Sequence, residues 1–183
     1  MKTIKFLDQN YLLKESWYDV TLNDYNSLQK DDSLYNCLSI LTGISKDDII
    51  DCPVVVLESF VKESNWFWET KIPKTNQFTI TINNTKHAVR MDNLSFGQQN
   101  DAHLTIQNKN ISKTIAIFLC PPVTKYSEYT KGEIYEVEKQ VLNASIVEVM
   151  SILDFFLLGS KKLRKNTTLY SRKKKKKQPK KAG

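Results

Sequence analysis

The sequence predicts a mainly helical α+β fold. One domain over residues 1–160 carries a single β-hairpin, and a disordered basic tail follows over residues 161–183. Three observations predict it. Apolar residues recur at helical spacing between recognisable caps. Phe78, Ile80 and Ile82 alternate with Thr79 and Thr81, the period of a half-buried strand. The positive charge is gathered at one end of the chain.

The helices come first. Thr21 is placed to cap a helix, with Asp24 three residues on to receive exposed amides, and Tyr25 and Leu28 share its inner face. A second helix starts near Asp32 or Ser33 and carries Leu34, Leu38 and Leu41. Gly43 supplies its left-handed stop. Ser45 caps a short turn over Lys46 to Asp51, with Ile49 and Ile50 expected inward. Pro53 opens a fourth helix through Val54, Leu57 and Val61. The hairpin follows near residues 78–89. Asn83-Asn84 forms its turn, because asparagine tolerates positive φ, and Thr85 to Val89 is the return strand.

Ser95 to Ile106 reads as a weakly patterned helix. Ser112 to Cys120 reads as a buried helix, with a strand as the alternative, and Tyr126 to Tyr129 as a loop. Helical signal then runs from Lys131 to Leu158. In its second half Ser145, Glu148, Ser151 and Asp154 make one thin polar stripe on an otherwise apolar surface. Such a helix belongs in a core or in a subunit contact.

The charge is uneven. Residues 161–183 hold Lys161, Lys162, Arg164, Lys165, Arg172, Lys173, Lys174, Lys175, Lys176, Lys177, Lys180 and Lys181, and no acid. These are 12 of the chain's 27 basic residues. They leave 15 against 20 acids, a net of −5 for residues 1–160. An acidic body with a cationic arm differs from a uniformly basic nucleic-acid-binding domain. The arm has too little apolar surface to offset its ordering entropy, so it is expected to be disordered and to seek polyanions. Binding of that kind is driven by counterion release and is blind to sequence. The twelve cations are therefore the candidate polyanion-binding residues. A solubilising tail, a nuclear-import signal and a contact with anionic lipid are other readings of the same run.

Composition argues against other classes. Five Gly and five Pro are too few for a turn-rich sandwich. Residues 1–10, MKTIKFLDQN, lack the apolar core of a secretory signal, so none is expected. No uncharged apolar run reaches the roughly 18 residues of a membrane span. Cys37, Cys52 and Cys120 are odd in number and widely spaced, as free thiols in a reducing compartment would be. His87 and His103 have no ligand-spaced partner, and the Asp47, Asp48, Asp51 and Glu133, Glu136, Glu138 clusters read as solvated helix faces. Phosphate-binding glycine loops and nucleophile elbows are missing. No catalytic residue, metal or cofactor is predicted.

Trp66, Phe67 and Trp68 fill a core or a neighbouring subunit's pocket. With Phe155 and Phe156 of the apolar helix they are the candidate interface residues. The pattern Trp17-x-Asp19-Val20-Thr21-Leu22-x-x-Tyr25-x-x-Leu28, then Leu38-Ser39-Ile40-Leu41-Thr42-Gly43 and Asp47-Asp48-Ile49-Ile50, resembles small structural or assembly proteins of tailed double-stranded DNA phages, of the crAss-like type that infects Bacteroidetes. The likeness covers roughly the first 60 residues, with a loose likeness in the later helices. It implies a virion component near the portal or tail, an internal cargo protein or a tail assembly chaperone. Such a protein would be oligomeric in the particle, in contact with other virion proteins, and present in host cytoplasm during assembly. It carries no catalytic residue over. The lysine tail departs from the chaperone pattern and favours a contact with packaged DNA or an acidic neighbour. The rival reading is a peripheral membrane protein using the amphipathic helix and the tail. Glu148 and Asp154 weigh against it.

Overall fold

The computed structural model describes residues 1–75, 77–89, 94–120 and 131–157. The fold is α+β and mainly helical, as the sequence predicts. Among the described residues it holds two antiparallel strand pairs where one was expected.

The additional pair opens the chain. β1 (Lys2–Phe6) pairs with β2 (Gln9–Leu13), with Ile4 opposite Tyr11 and Phe6 opposite Gln9. Phe6 and Leu13 are buried on its inner face. Its turn residues, Leu7 and Asp8, both take positive φ (45° and 62°). Asn and Gly are the usual residues in such a two-residue turn, so Leu-Asp gives little warning of it.

The predicted caps then follow in order. α1 (Leu22–Lys30) begins in a complete capping box between Thr21 and Asp24. α2 (Leu34–Thr42) starts at Ser33 and stops at Gly43, φ 74°. Leu38 and Leu41 are fully buried, while Leu34 is partly exposed. α3 (Lys46–Ile50) is capped by Ser45. Only Ile49 turns inward; Ile50 faces out, contrary to expectation. Adjacent helix positions lie about 100° apart, so one turn packed on one side buries only one of them. Pro53 precedes α4 (Val54–Glu63) with extended backbone, and α5 (Asn65–Glu69) follows at once.

β3 (Thr79–Ile82) and β4 (Thr85–Ala88) form the predicted hairpin, with Asn83 and Asn84 at φ 49° and 61°. β3 buries Ile80 and Ile82, and β4 is exposed throughout. α6 (Phe96–Gln107) starts in a second capping box, Ser95 with Gln98. Ser112 to Cys120 lies in helix α7 (Ile111–Leu119) and its C-cap, which settles the helix-or-strand alternative. α8 (Lys131–Val141) is followed by a helix, α9, over residues 146–157. The expected loop at Tyr126 to Tyr129 lies outside the described residues.

The helical stretch expected from Lys131 to Leu158 is thus interrupted, and hydrogen bonding explains why. Leu22 N–H donates to Ala144 O at 2.9 Å, Asn23 N–H to Leu142 O at 2.9 Å, and Ile146 N–H to Val20 O at 2.8 Å. The entry to α1 thus takes carbonyls that a continuous helix would use itself. Backbone groups must be paired when buried, and here they pair across the chain.

Two apolar clusters result. The main core joins Val20, Leu22, Leu41, Ile80, Ile82, Ile115, Phe118, Ile146, Ile152 and Phe156. A smaller one joins Phe6, Leu38, Ile44, Ile49 and Phe60 beneath the first hairpin. Burying each such side chain contributes roughly 1.5–3 kcal/mol.

Candidate interaction surfaces

The twelve candidate polyanion-binding residues, Lys161 to Lys181, lie outside the described residues, as does the predicted disorder of the tail. The candidate interface residues can be placed.

Trp66 and Phe67 sit on α5 and are half-buried against the main core. Trp17, which the sequence reading did not place among the interface candidates, completes the group. Its ring lies 5.6 Å from Trp66 and 5.0 Å from Phe67. Both indoles have polar partners: Trp17 Nε1 donates to Thr70 Oγ1 at 3.1 Å, and Trp66 Nε1 to Lys14 O at 3.3 Å. A half-buried tryptophan ordinarily satisfies its N–H in this way. Trp68, edge-on to Phe67 at 5.4 Å, remains exposed. The three aromatics are therefore divided: two help to close the monomer and one is left at the surface.

The apolar helix divides similarly. Phe156 is buried, with its ring 4.7 Å from Phe118 and 5.0 Å from His103. That corrects its assignment to an interface: helical phase turns it inward, and the monomer's own core consumes it. Phe155 is exposed and its ring lies 4.3 Å from that of Phe78, itself partly exposed.

The polar stripe of α9 does not simply face water. Glu148 accepts from Thr81 N–H at 2.8 Å and from Thr81 Oγ1 at 3.0 Å. Thr75 N–H donates to Ser151 Oγ at 3.3 Å, and the two hydroxyls are 2.8 Å apart. Lys74 pairs with Asp154 at 3.2 Å. As α9 advances from 148 to 154, its partners retreat from 81 to 74. The stripe is a seam that holds the second hairpin and its lead-in against the core.

Cys37 and Cys120 are buried free thiols, and burial pushes both above the usual thiol range; Asp32 and Asp31 add to the effect at Cys37, Glu133 at Cys120. Protonated thiols are poor nucleophiles and metal ligands. His87 is exposed on β4. Among the described residues no group of three His, Cys, Asp or Glu is placed to hold a metal ion, and no helix is long and apolar enough to cross a membrane.

The first hairpin and the α3–α4 corner carry the surface feature that sequence reasoning missed. Leu7, Ile50, Val54 and Val55 are all more than half exposed. A signal existed in Pro53-Val54-Val55-Val56, because consecutive helical residues cannot all face inward.

Compared with protein-family models, curated proteins and solved structures, the chain matches none.

Proposed function

We propose that this protein is a structural or assembly component of a phage particle, binding rather than catalytic, whose lysine-rich tail contacts DNA or an acidic neighbour. The observation that carries the reading is the segregation of charge: 12 cations and no acid in residues 161–183, against a net of −5 over residues 1–160. Such an arm neutralises dense negative charge by releasing its counterions, while the acidic body is kept off the polyanion. The cap-and-core pattern between Trp17 and Ile50 supports the phage setting.

The test compares the full chain with a full-length variant in which Lys173 to Lys177, Lys180 and Lys181 are replaced by Gln. The native chain is expected to retain duplex DNA at low salt and release it near about 0.5 M, with a log–log slope of up to about −0.9 per phosphate contact. The variant should lose most of that slope. Equal retention would remove the tail from the function. Mass spectrometry of purified particles then separates a permanent component, which stays, from a chaperone, which does not.

A further inference from the structure

Four large apolar side chains stand out at the edge of the smaller core: Leu7 is 73% exposed, Ile50 51%, Val54 68% and Val55 77%. They belong to one end of it. Lys2 meets Glu63 at 2.8 Å and the Phe6 ring lies 5.8 Å from Phe60, so β1 runs antiparallel to α4. The tip of the first hairpin, with Leu7, and the first turn of α4, with Val54 and Val55, therefore point the same way. Ile50 precedes that turn by one short connection. Leu7 also holds left-handed backbone at φ 45°, a conformation that bulky residues seldom adopt, and the turn presents it to solvent. Clustered apolar exposure of this kind marks an interaction surface more than a scattered set would.

The rim is acidic. Asp47, Asp48, Asp51 and Glu58 are exposed and form no ion pair among the described residues. Asp47 lies three residues before Ile50, and Glu58 three and four residues after Val55 and Val54, so charge and apolar surface share helix faces. An occupant should therefore combine cations with a few apolar side chains. Residues 161–172 do so: Lys161, Lys162, Arg164, Lys165 and Arg172, with Leu163, Leu169 and Tyr170 and no acid.

We propose that this apolar, acid-rimmed end docks residues 161–172 of a second copy of the chain. Length permits it. Residues 158–172 can span up to about 50 Å when extended, against a domain roughly 40 Å across. The last described helix, α9, ends in the main core, whereas the docking end closes the smaller one. The contact joins two different surfaces, so it propagates head to tail, into a ring where it closes and a filament where it does not. It goes beyond the polyanion reading and engages five of the twelve tail cations, leaving Lys173 onward free.

Sedimentation velocity on full-length protein tests it with two variants. Val54→Ser with Val55→Ser alters only exposed side chains; circular dichroism and an unchanged urea midpoint verify the fold. The second variant replaces Lys161, Lys162, Arg164 and Lys165 by Gln. The native chain is expected to associate with increasing concentration at low salt, and each variant alone to lose at least about tenfold in affinity. Mixed together, the variants should form a one-to-one complex, since one keeps the basic segment and the other the docking end. A native chain monomeric at about 100 μM overturns the proposal. So does unchanged association of the valine variant, or a native monomer that merely expands on the valine substitutions, which would put the chain's own tail on the surface. DNA retention by the same samples distinguishes failure of this docking from failure of the polyanion reading.

Discussion

The Glu148 carboxylate closes the outer edge of β3 by accepting both the backbone N–H and the hydroxyl of Thr81, at 2.8 and 3.0 Å. Thr81 sits between the positions that exchange ladder bonds with β4, so its N–H points away from the hairpin. A two-stranded hairpin is marginal alone. This one is held by Ile80 and Ile82 in the core and by that carboxylate. Glu148→Ala is expected to cost about 1–3 kcal/mol, the penalty for leaving partly buried donors unmatched. Urea denaturation of Glu148→Ala, Thr81→Val and the double variant should show a coupling of at least about 0.5 kcal/mol. Additive effects would mean that the seam does not hold the hairpin.

Lys14 is the corresponding clamp for the first hairpin. Its Nζ lies 2.7 Å from Asp24 Oδ2 and 3.0 Å from Ile40 O, with side-chain exposures of only 15% and 19% across the ion pair. The same Asp24 oxygen accepts from Thr21 N–H and Thr21 Oγ1, so β2, the α1 cap and the end of α2 share one junction. Removing one partner of a partly buried pair leaves the other short of a hydrogen-bond partner. Lys14→Met should therefore cost about 1–3 kcal/mol. Lys2→Met breaks the exposed pair with Glu63 and should cost less than about 1 kcal/mol. Thermal unfolding of the two variants side by side checks the contrast, and equal losses would contradict it.

What could be read from the sequence was mostly local. Thr21, Ser33, Ser45 and Ser95 all cap helices through amides within three residues, so each helix start is written nearby. Asn83-Asn84 marks its turn for the same reason. The break between α8 and α9 was hidden because its cause, Val20 to Asn23, lies far off in the chain. The stripe of α9 was visible as a stripe, but Thr81, Thr75 and Lys74 as its partners were not. Leu7-Asp8 carries neither Gly nor Asn, so the first hairpin left only the weak alternation of Ile4, Phe6, Tyr11 and Leu13. Of the candidate site, the tail's charge was legible outright. The apolar end that we propose it engages emerges only when β1 is laid against α4.

Asp31 makes a prediction in pH. The Lys46 ammonium at 2.8 Å, aided by the Ser33 N–H, holds its carboxyl at about 2. An unfolded-chain aspartate titrates near about 3.9. The folded form therefore binds this proton less readily, and the resulting stabilisation is fully present above about pH 4 and disappears as pH falls through about 2. Asp31→Asn should be less stable than the native chain at neutral pH, with the gap narrowing across that window. Because the pair is exposed, added salt should narrow it too. A gap independent of pH would show that the asparagine acts on the α2 entry by geometry alone.

Two buried hydroxyls make opposite predictions. Thr42 Oγ1 donates to Leu38 O at 2.7 Å and accepts from Ile44 N–H at 3.2 Å, which secures the chain just after Gly43. Thr42→Val keeps the shape but orphans the Ile44 amide, and should destabilise by about 1–3 kcal/mol. Ser64, fully buried where α4 meets α5, has its backbone satisfied: its N–H donates to Phe60 O at 3.0 Å and its O accepts from Phe67 N–H at 2.9 Å. Its Oγ finds no partner among the described residues. A buried hydroxyl without a hydrogen bond costs roughly 1–3 kcal/mol, and the oxygen's lost packing contacts are a smaller term. Ser64→Ala should therefore stabilise the fold by about 1 kcal/mol, read as a higher urea midpoint at an unchanged m-value. A lower midpoint would mean that an ordered water bonds to Ser64 Oγ, and the α4–α5 junction would then be a polar joint instead of a dry one.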